Sequence, residues 1–199
     1  MRISSQPLIL QRNMAVTSIL FSIQSYLQKK LSEHYKGRIY NTKMPFGTQL
    51  KTTTDMNLVG AFHGVFIPFL DSNNQTYLST ITESYQLPGA KQLQGQFRAY
   101  LKNFLRQGNP NGDDLIKWEA WSAQNSKSLI LDADDQHAQV SMTQEEDTNQ
   151  AIIQRMEADT SIPKLTKENI IHEVLNGRWF SSDLDAYYHN PSLWPNGQN

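Results

Sequence analysis

Leu58-Val59-Gly60-Ala61-Phe62-His63-Gly64-Val65-Phe66-Ile67-Pro68-Phe69-Leu70 is an apolar block in which His63 is the only side chain that can take up a proton near neutral pH. Gly60, Gly64 and Pro68 recur every four residues through it. Each favours a bend over a continuous helix or strand, so the block is expected to be a shaped loop that sets one imidazole between two glycines.

Upstream, Val16, Ile19, Leu20, Ile23, Tyr26, Leu27 and Leu31 fall on one face at helical spacing. This predicts an amphipathic helix over residues 15–34, stopped near Gly37. Arg2 and Arg12 precede its apolar part as they would in a signal peptide, but Thr17, Ser18 and Ser22 dilute it and the apolar positions are one-sided. A secretory leader is therefore not expected, and a cytoplasmic location is favoured. The segment Arg38–Met44, with Ile39, Tyr40 and Thr42, reads as a strand closed by Pro45 and Gly47. Helix followed by strand makes an αβ unit.

Downstream, Asp71–Gln75 is a turn cluster. Ala90, Leu93, Phe97, Tyr100, Leu101, Phe104 and Leu105 then mark a long helix whose other face carries Lys91, Gln94, Arg98 and Lys102. Gly108 stands where a helix cap belongs, and Asn109-Pro110-Asn111-Gly112 cannot continue the helix. Trp118 and Trp121 precede Ser128-Leu129-Ile130-Leu131-Asp132, a short buried or edge strand. The acidic, glutamine-rich stretch from Asp132 to Asp147 reads as a solvated linker or the exposed start of a helix. Two more helices are expected, over residues 148–158 and 166–180, before an aromatic end with Tyr187, Tyr188, Trp194 and Pro195.

Composition narrows the function classes. In 199 residues, 38% are hydrophobic, enough for one sizeable core, and 18 basic residues nearly balance 19 acidic ones. No net field draws the chain to nucleic acid or an anionic membrane, and no run reaches the length of a membrane span. Cysteine is absent, which excludes disulfides, thiolate catalysis and zinc-thiolate sites.

Taken alone, a histidine between small residues is better explained by ring nitrogens satisfied within a loop than by catalysis. Its surroundings add to the case. Gly60-Ala61-Phe62-His63-Gly64 with Ile67-Pro68-Phe69 resembles the catalytic-histidine loop of the type B carboxylesterases, the family of the cholinesterases and para-nitrobenzyl esterases. The helix from Phe97 to Arg106, the Gly108-Asn109-Pro110-Asn111 turn, Trp118 and Leu129-Ile130-Leu131-Asp132 are similar, in type and order, to the features downstream of that loop in the family. Ile19-Leu20-Phe21 and Arg38-Ile39-Tyr40 resemble the helix and strand before it.

The resemblance covers roughly residues 18–132, the last part of a family member. It implies an α/β class, a partial α/β-hydrolase fold over residues 1–135; composition and periodicity add an acidic linker and a helical, aromatic tail over 136–199. It further implies that His63 is the general base and acid of a serine triad, with a small carboxylic ester as substrate and no cofactor or metal.

The chain departs from the pattern in important ways. Family members usually place an acidic residue two positions beyond the glycine after the histidine, and Val65 and Phe66 occupy that stretch here. No Gly-x-Ser-x-Gly elbow and no His-Gly-Gly oxyanion loop occurs in the sequence. An imidazole without a hydroxyl to activate has no ester transition state to stabilise. The chain is therefore read as a fragment or subunit whose expected partner is the missing N-terminal part, or a second copy. The alternative is a non-catalytic binding module on the same scaffold.

Other groups carry less chemistry. Asp132, Asp134, Asp135 and His137 lack EF-hand spacing and read as a solvated turn. His172-Glu173 lacks the second histidine of a zincin helix, and His34 and His189 have no ligand-like neighbours. Asn74-Gln75-Thr76 is a glycosylation acceptor pattern that matters only on a secretory route. Arg178-Trp179-Phe180 with Tyr187-Tyr188 serves equally as an aromatic docking surface or as tail packing.

Overall fold

A computed structural model describes residues 29–52, 54–62, 64–71, 73, 79–144, 148–160, 163–176 and 181–190. The chain divides into two compact units, Ser32–Glu145 and a second formed by Met1–Leu31 with Glu146–Asn199. The class is mixed α/β, with a three-stranded mixed sheet and several helices.

In the first unit β1 (Thr42–Lys43) pairs parallel to β2 (Ser128–Ala133), which pairs antiparallel to β3 (Ala138–Thr143). β2 is the middle strand and is buried along nearly its whole length, as its unbroken Leu-Ile-Leu run requires. The connection from β1 to β2 runs through α1 (Thr54–Val59), α2 (Ile67–Leu70), a 3₁₀ segment (Ser79–Gln86) and α3 (Pro88–Gln107).

α3 is the helix expected from Ala90. It opens on Pro88, whose missing N–H is no loss in the first turn, and ends at Gly108 with φ 67° and an N–H donated to the Phe104 carbonyl at 2.8 Å. Its core face presents Ala90, Leu93 and Tyr100 to Leu129, Leu131, Phe46, Leu50 and Phe69. Gly89 has a steric reason. A Cβ there would lie 2.1 Å from the Asp134 carbonyl oxygen, so only glycine lets α3 seat its first turn on the β2–β3 connection. Leu105, placed on the packing face by its spacing, is 74% exposed.

Trp118 joins the end of α3 to the sheet. Its indole Nε1–H donates to the Asn41 carbonyl at 2.8 Å, and the same oxygen accepts the Leu129 N–H at 2.9 Å. Asn111 accepts from the Trp118 N–H at 2.6 Å through Oδ1 and donates Nδ2 to the Trp118 carbonyl at 3.0 Å, imitating a paired strand. Asn109 Oδ1 in turn accepts from the Asn111 N–H and Nδ2. The Tyr100 and Tyr40 rings meet the indole edge-on at centroid distances of 5.5 and 5.9 Å.

Several sequence expectations change. The strand expected over residues 38–44 shrinks to β1 and a single bridge from Ile39 to Trp121, and between them the Asn41 carbonyl accepts the Trp118 indole N–H. The block 58–70 is a loop only at its centre, with α1 entering it and α2 leaving it. The stretch 132–147 is not a linker throughout: residues 138–143 form β3, with Ala138, Val140 and Met142 turned to the core at every second position. Of the helix expected over 15–34, residues 29–34 are described and helical.

In the second unit α4 (Asn149–Ala158) is capped by Thr148, whose hydroxyl accepts the Ala151 N–H at 3.1 Å. α5 (Lys164–Asn169) passes into a π turn (Ile170–Val174), and α6 (Ser182–Tyr187) follows, capped by Ser181. Ile152, Met156, Ile170, Ile171, Leu175 and Leu184 make a separate small core. Lys167 Nζ donates to the Met156 and Asp159 carbonyls, which closes the end of α4. The expected helix 166–180 is thus shorter and displaced, and residues 177–180 lie outside the described residues.

Asn111→Ala strips both backbone groups of Trp118 of their partner. The unit is expected to lose about 2 kcal/mol, measured by urea unfolding of the full chain with tryptophan fluorescence.

Candidate functional site

The loop around position 63 is built from α1 outward. Gly60 terminates α1 in the left-handed region at φ 64°, with its N–H on the Met56 carbonyl at 2.8 Å. The Val65 N–H donates to the Phe62 carbonyl at 3.1 Å, and Gly64 has φ 89°, where a β-carbon is strained. Ile67 N–H then reaches the Gly64 carbonyl at 2.9 Å and starts α2. The two glycines flanking the histidine therefore carry the bends expected of them. His63 itself lies outside the described residues, as do the glycosylation pattern at 74–76, Arg178-Trp179-Phe180 and Trp194-Pro195.

Val65 is buried in the core and Phe66 is 45% exposed. The segment after Gly64 is fastened by side chains. The Tyr85 hydroxyl donates to the Val65 carbonyl at 3.0 Å, and its ring packs against Phe46 and Phe69 at 5.2 and 5.1 Å. Burial raises the Tyr85 pKa well above the usual phenol range, so this hydroxyl remains a donor. Gln94 and Arg98, which spacing assigned to a solvated face of α3, donate to the carbonyls of Pro68, Phe69 and Leu70.

The acidic run after β2 does structural work. Asp134 Oδ1 accepts the N–H groups of His137 and Gln136 at 2.7 and 2.8 Å, which shapes the hairpin turn and holds its carboxyl below the usual range. Asp135 Oδ1 accepts the Lys51 N–H at 3.0 Å. Asp132 is buried, with Oδ2 accepting from Gln49 Nε2 at 2.9 Å and Oδ1 from the Ala133 N–H at 2.8 Å. Among the described residues no three His, Cys, Asp or Glu side chains gather as a metal cluster. No helix among them is long and apolar enough to cross a membrane.

His172 stands on the π turn with Nδ1 2.7 Å from Asn190 Oδ1. Asn190 Nδ2 donates to the Ile171 carbonyl and to buried Asp185. The Asn190 amide thus turns its NH₂ group to Ile171 and Asp185 and its oxygen to the His172 ring. The sequence spacing of His172, Asp185 and Asn190 gives no signal of this network. His34 and His189 join no such cluster in the described hydrogen bonds.

With this geometry in view, comparison with protein-family models finds no match, and comparison with curated proteins finds none either.

Burial is the largest influence on Asp132 and raises its pKa against the opposing Ala133 and Gln49 hydrogen bonds. A carboxyl whose folded pKa exceeds its unfolded one is neutral in both states at low pH. It then destabilises the fold as pH climbs through that window. Asp132→Asn should therefore match the parent near pH 3 and become relatively more stable as pH rises to about 6, measured as the difference in urea midpoint. A gap that is constant with pH contradicts the assignment.

Proposed function

We propose that this chain supplies the histidine arm of a carboxylic ester hydrolase with a serine triad, as the C-terminal part of an α/β-hydrolase fold. His63 acts as general base toward a serine hydroxyl and as general acid toward the leaving alcohol. The nucleophile and the oxyanion donors come from residues outside these 199.

The observation that carries the reading is the connection between two parallel strands. β1 is followed by α1 and by Gly60 and Gly64, both with positive φ, then by α3, the Asn109-Pro110-Asn111 turn, Trp118 and β2 alongside β1. In α/β proteins the working residues sit on loops that leave the carboxyl ends of parallel strands. β1 is at an edge of this sheet, although parallel strands belong in sheet interiors. Leu105 and Phe104 are 74% and 42% exposed on α3. Both features suit a chain that is completed by further strands and covered by a partner.

One observation favours the non-catalytic reading. Exposed Phe66 stands where the resemblance leads one to expect an acid, so the sequence does not supply that acid.

Alone, the chain is expected not to turn over short-chain nitrophenyl esters. Co-expressed with the region encoded upstream of Met1, if that region carries an in-frame Gly-x-Ser-x-Gly, it should hydrolyse them. His63→Ala should then lower kcat by several orders of magnitude, about 10³-fold or more. An intact upstream region without a serine at the elbow sinks the catalytic reading, and hydrolysis by the chain alone refutes the absence of a nucleophile.

A further inference from the structure

β3 pairs with β2 without a bulge, from Ala138 opposite Ala133 to Thr143 opposite Ser128. Just before this ladder the Asp134 N–H donates to the His137 carbonyl at 3.0 Å. Antiparallel pairs alternate between bonded and non-bonded. Gln139, Ser141 and Thr143 therefore direct their backbone groups at β2, and Ala138, Val140 and Met142 direct theirs outward. Two further bonds fit this phase. Leu129, opposite Met142, turns its N–H away from β3 to the Asn41 carbonyl, and the Ala138 N–H is accepted by Gln92 Oε1 at 3.3 Å.

Gln92 thus closes the first outward position of β3, and its Nε2 donates to the Gln136 carbonyl at 3.3 Å. The next two positions are open: among the described residues none pairs with the outward N–H and carbonyl groups of Val140 and Met142. Edge strands are commonly blunted by a charge, a proline or a bulge. Ala138-Gln139-Val140-Ser141-Met142-Thr143 has none of the three.

We propose that the outer edge of β3 is a self-association surface, on which a second copy of this chain adds its own β3 antiparallel about a two-fold axis at Ser141. The pattern of the strand names this occupant. With Ser141 opposite its counterpart, Val140 of each copy lies opposite Met142 of the other, and every open N–H and carbonyl of these residues gains a partner. The half-buried Val140 and Met142 side chains, which pack against the core, meet along the seam on one face. On the other face Gln139 lies opposite Thr143, so no charge opposes a like charge within the overlap. Acidic residues come only beyond it, Asp134 and Asp135 before the strand and Glu145, Glu146 and Asp147 after it in the sequence, and their repulsion is screened within about 8 Å at physiological ionic strength. A two-fold pair of this kind closes on itself. It uses none of β1, the opposite edge of the sheet, and does not rest on the catalytic reading.

The test is sedimentation velocity of the full chain over a range of concentrations, with substitutions at exposed positions of β3. The unsubstituted chain should pass from monomer to dimer as concentration rises. Ser141→Lys sets two like charges face to face at the axis and should weaken the dimer roughly tenfold or more, with an unchanged circular dichroism spectrum because Ser141 is exposed. Non-bonded antiparallel partners lie about 4.5 Å apart at Cα, within disulfide reach, and the chain has no cysteine of its own. Ser141→Cys should therefore give a disulfide-linked dimer under mild oxidation. Gln139→Cys should not, because its counterpart lies roughly 13 Å away along the seam.

A chain that stays monomeric up to about 1 mM overturns the proposal. So does a dimer that Ser141→Lys leaves intact, or that Gln139→Cys cross-links as readily as Ser141→Cys, because the seam then lies elsewhere. Should the thiol of Ser141→Cys be shielded from modification in a monomer, another segment of the same chain covers the edge, and the proposal fails as well.

Discussion

One hydrogen bond organises the first unit: the Trp118 indole N–H on the Asn41 carbonyl, made inside a core of aromatic rings. The oxygen that receives it also receives the Leu129 N–H, so the register of β1 on β2 and the seat of the indole are set by the same atom. An indole is too large to be buried without a place for its N–H, and a parallel pairing only two residues long is too short to hold its register alone. Each supplies what the other lacks.

From there the order of the structure follows. Asn111 grips both backbone groups of Trp118, and that fixes the chain leaving α3. Tyr100 reaches past the indole to donate to the Ile116 carbonyl at 2.6 Å and ties the helix to the same turn. With its far end fixed, and with Gly89 against the hairpin at its near end, α3 has one position on the sheet. Gln94 and Arg98 then meet the end of α2, and the loop between α1 and α2 is held from the helix side. The candidate site thus depends on a network that contains none of its residues.

The sequence made some of this legible and hid the rest for definite reasons. α3 was plain because long periodicity, a leading proline and a trailing glycine agree. Gly60 and Gly64 were read as bends, and both have positive φ. β3 was missed because Asp134, Asp135, Gln136 and Gln139 dominate the composition and mask a period of two in Ala138, Val140 and Met142. Gln94 and Arg98 were read as solvated because helical spacing shows which face a residue is on, not which carbonyls another loop will bring to that face. Asn111 looked like an ordinary turn residue, since its pairing with Trp118 depends on where the chain returns. For His63 the sequence supplied a resemblance to an esterase loop, and the fold supplies a built surrounding for the position after it.

The claim on which the rest stands is that Asn111, Trp118 and Asn41 act as one unit, and a double-mutant cycle measures this directly. Trp118→Phe removes the indole donor and Asn111→Ala removes the backbone pairing; each variant and the double variant are unfolded in urea as full chains. A shared network predicts a coupling energy of about 1 kcal/mol or more between the two substitutions. Effects that add to within about 0.3 kcal/mol would contradict the account, because the helix end and the sheet would then be held independently.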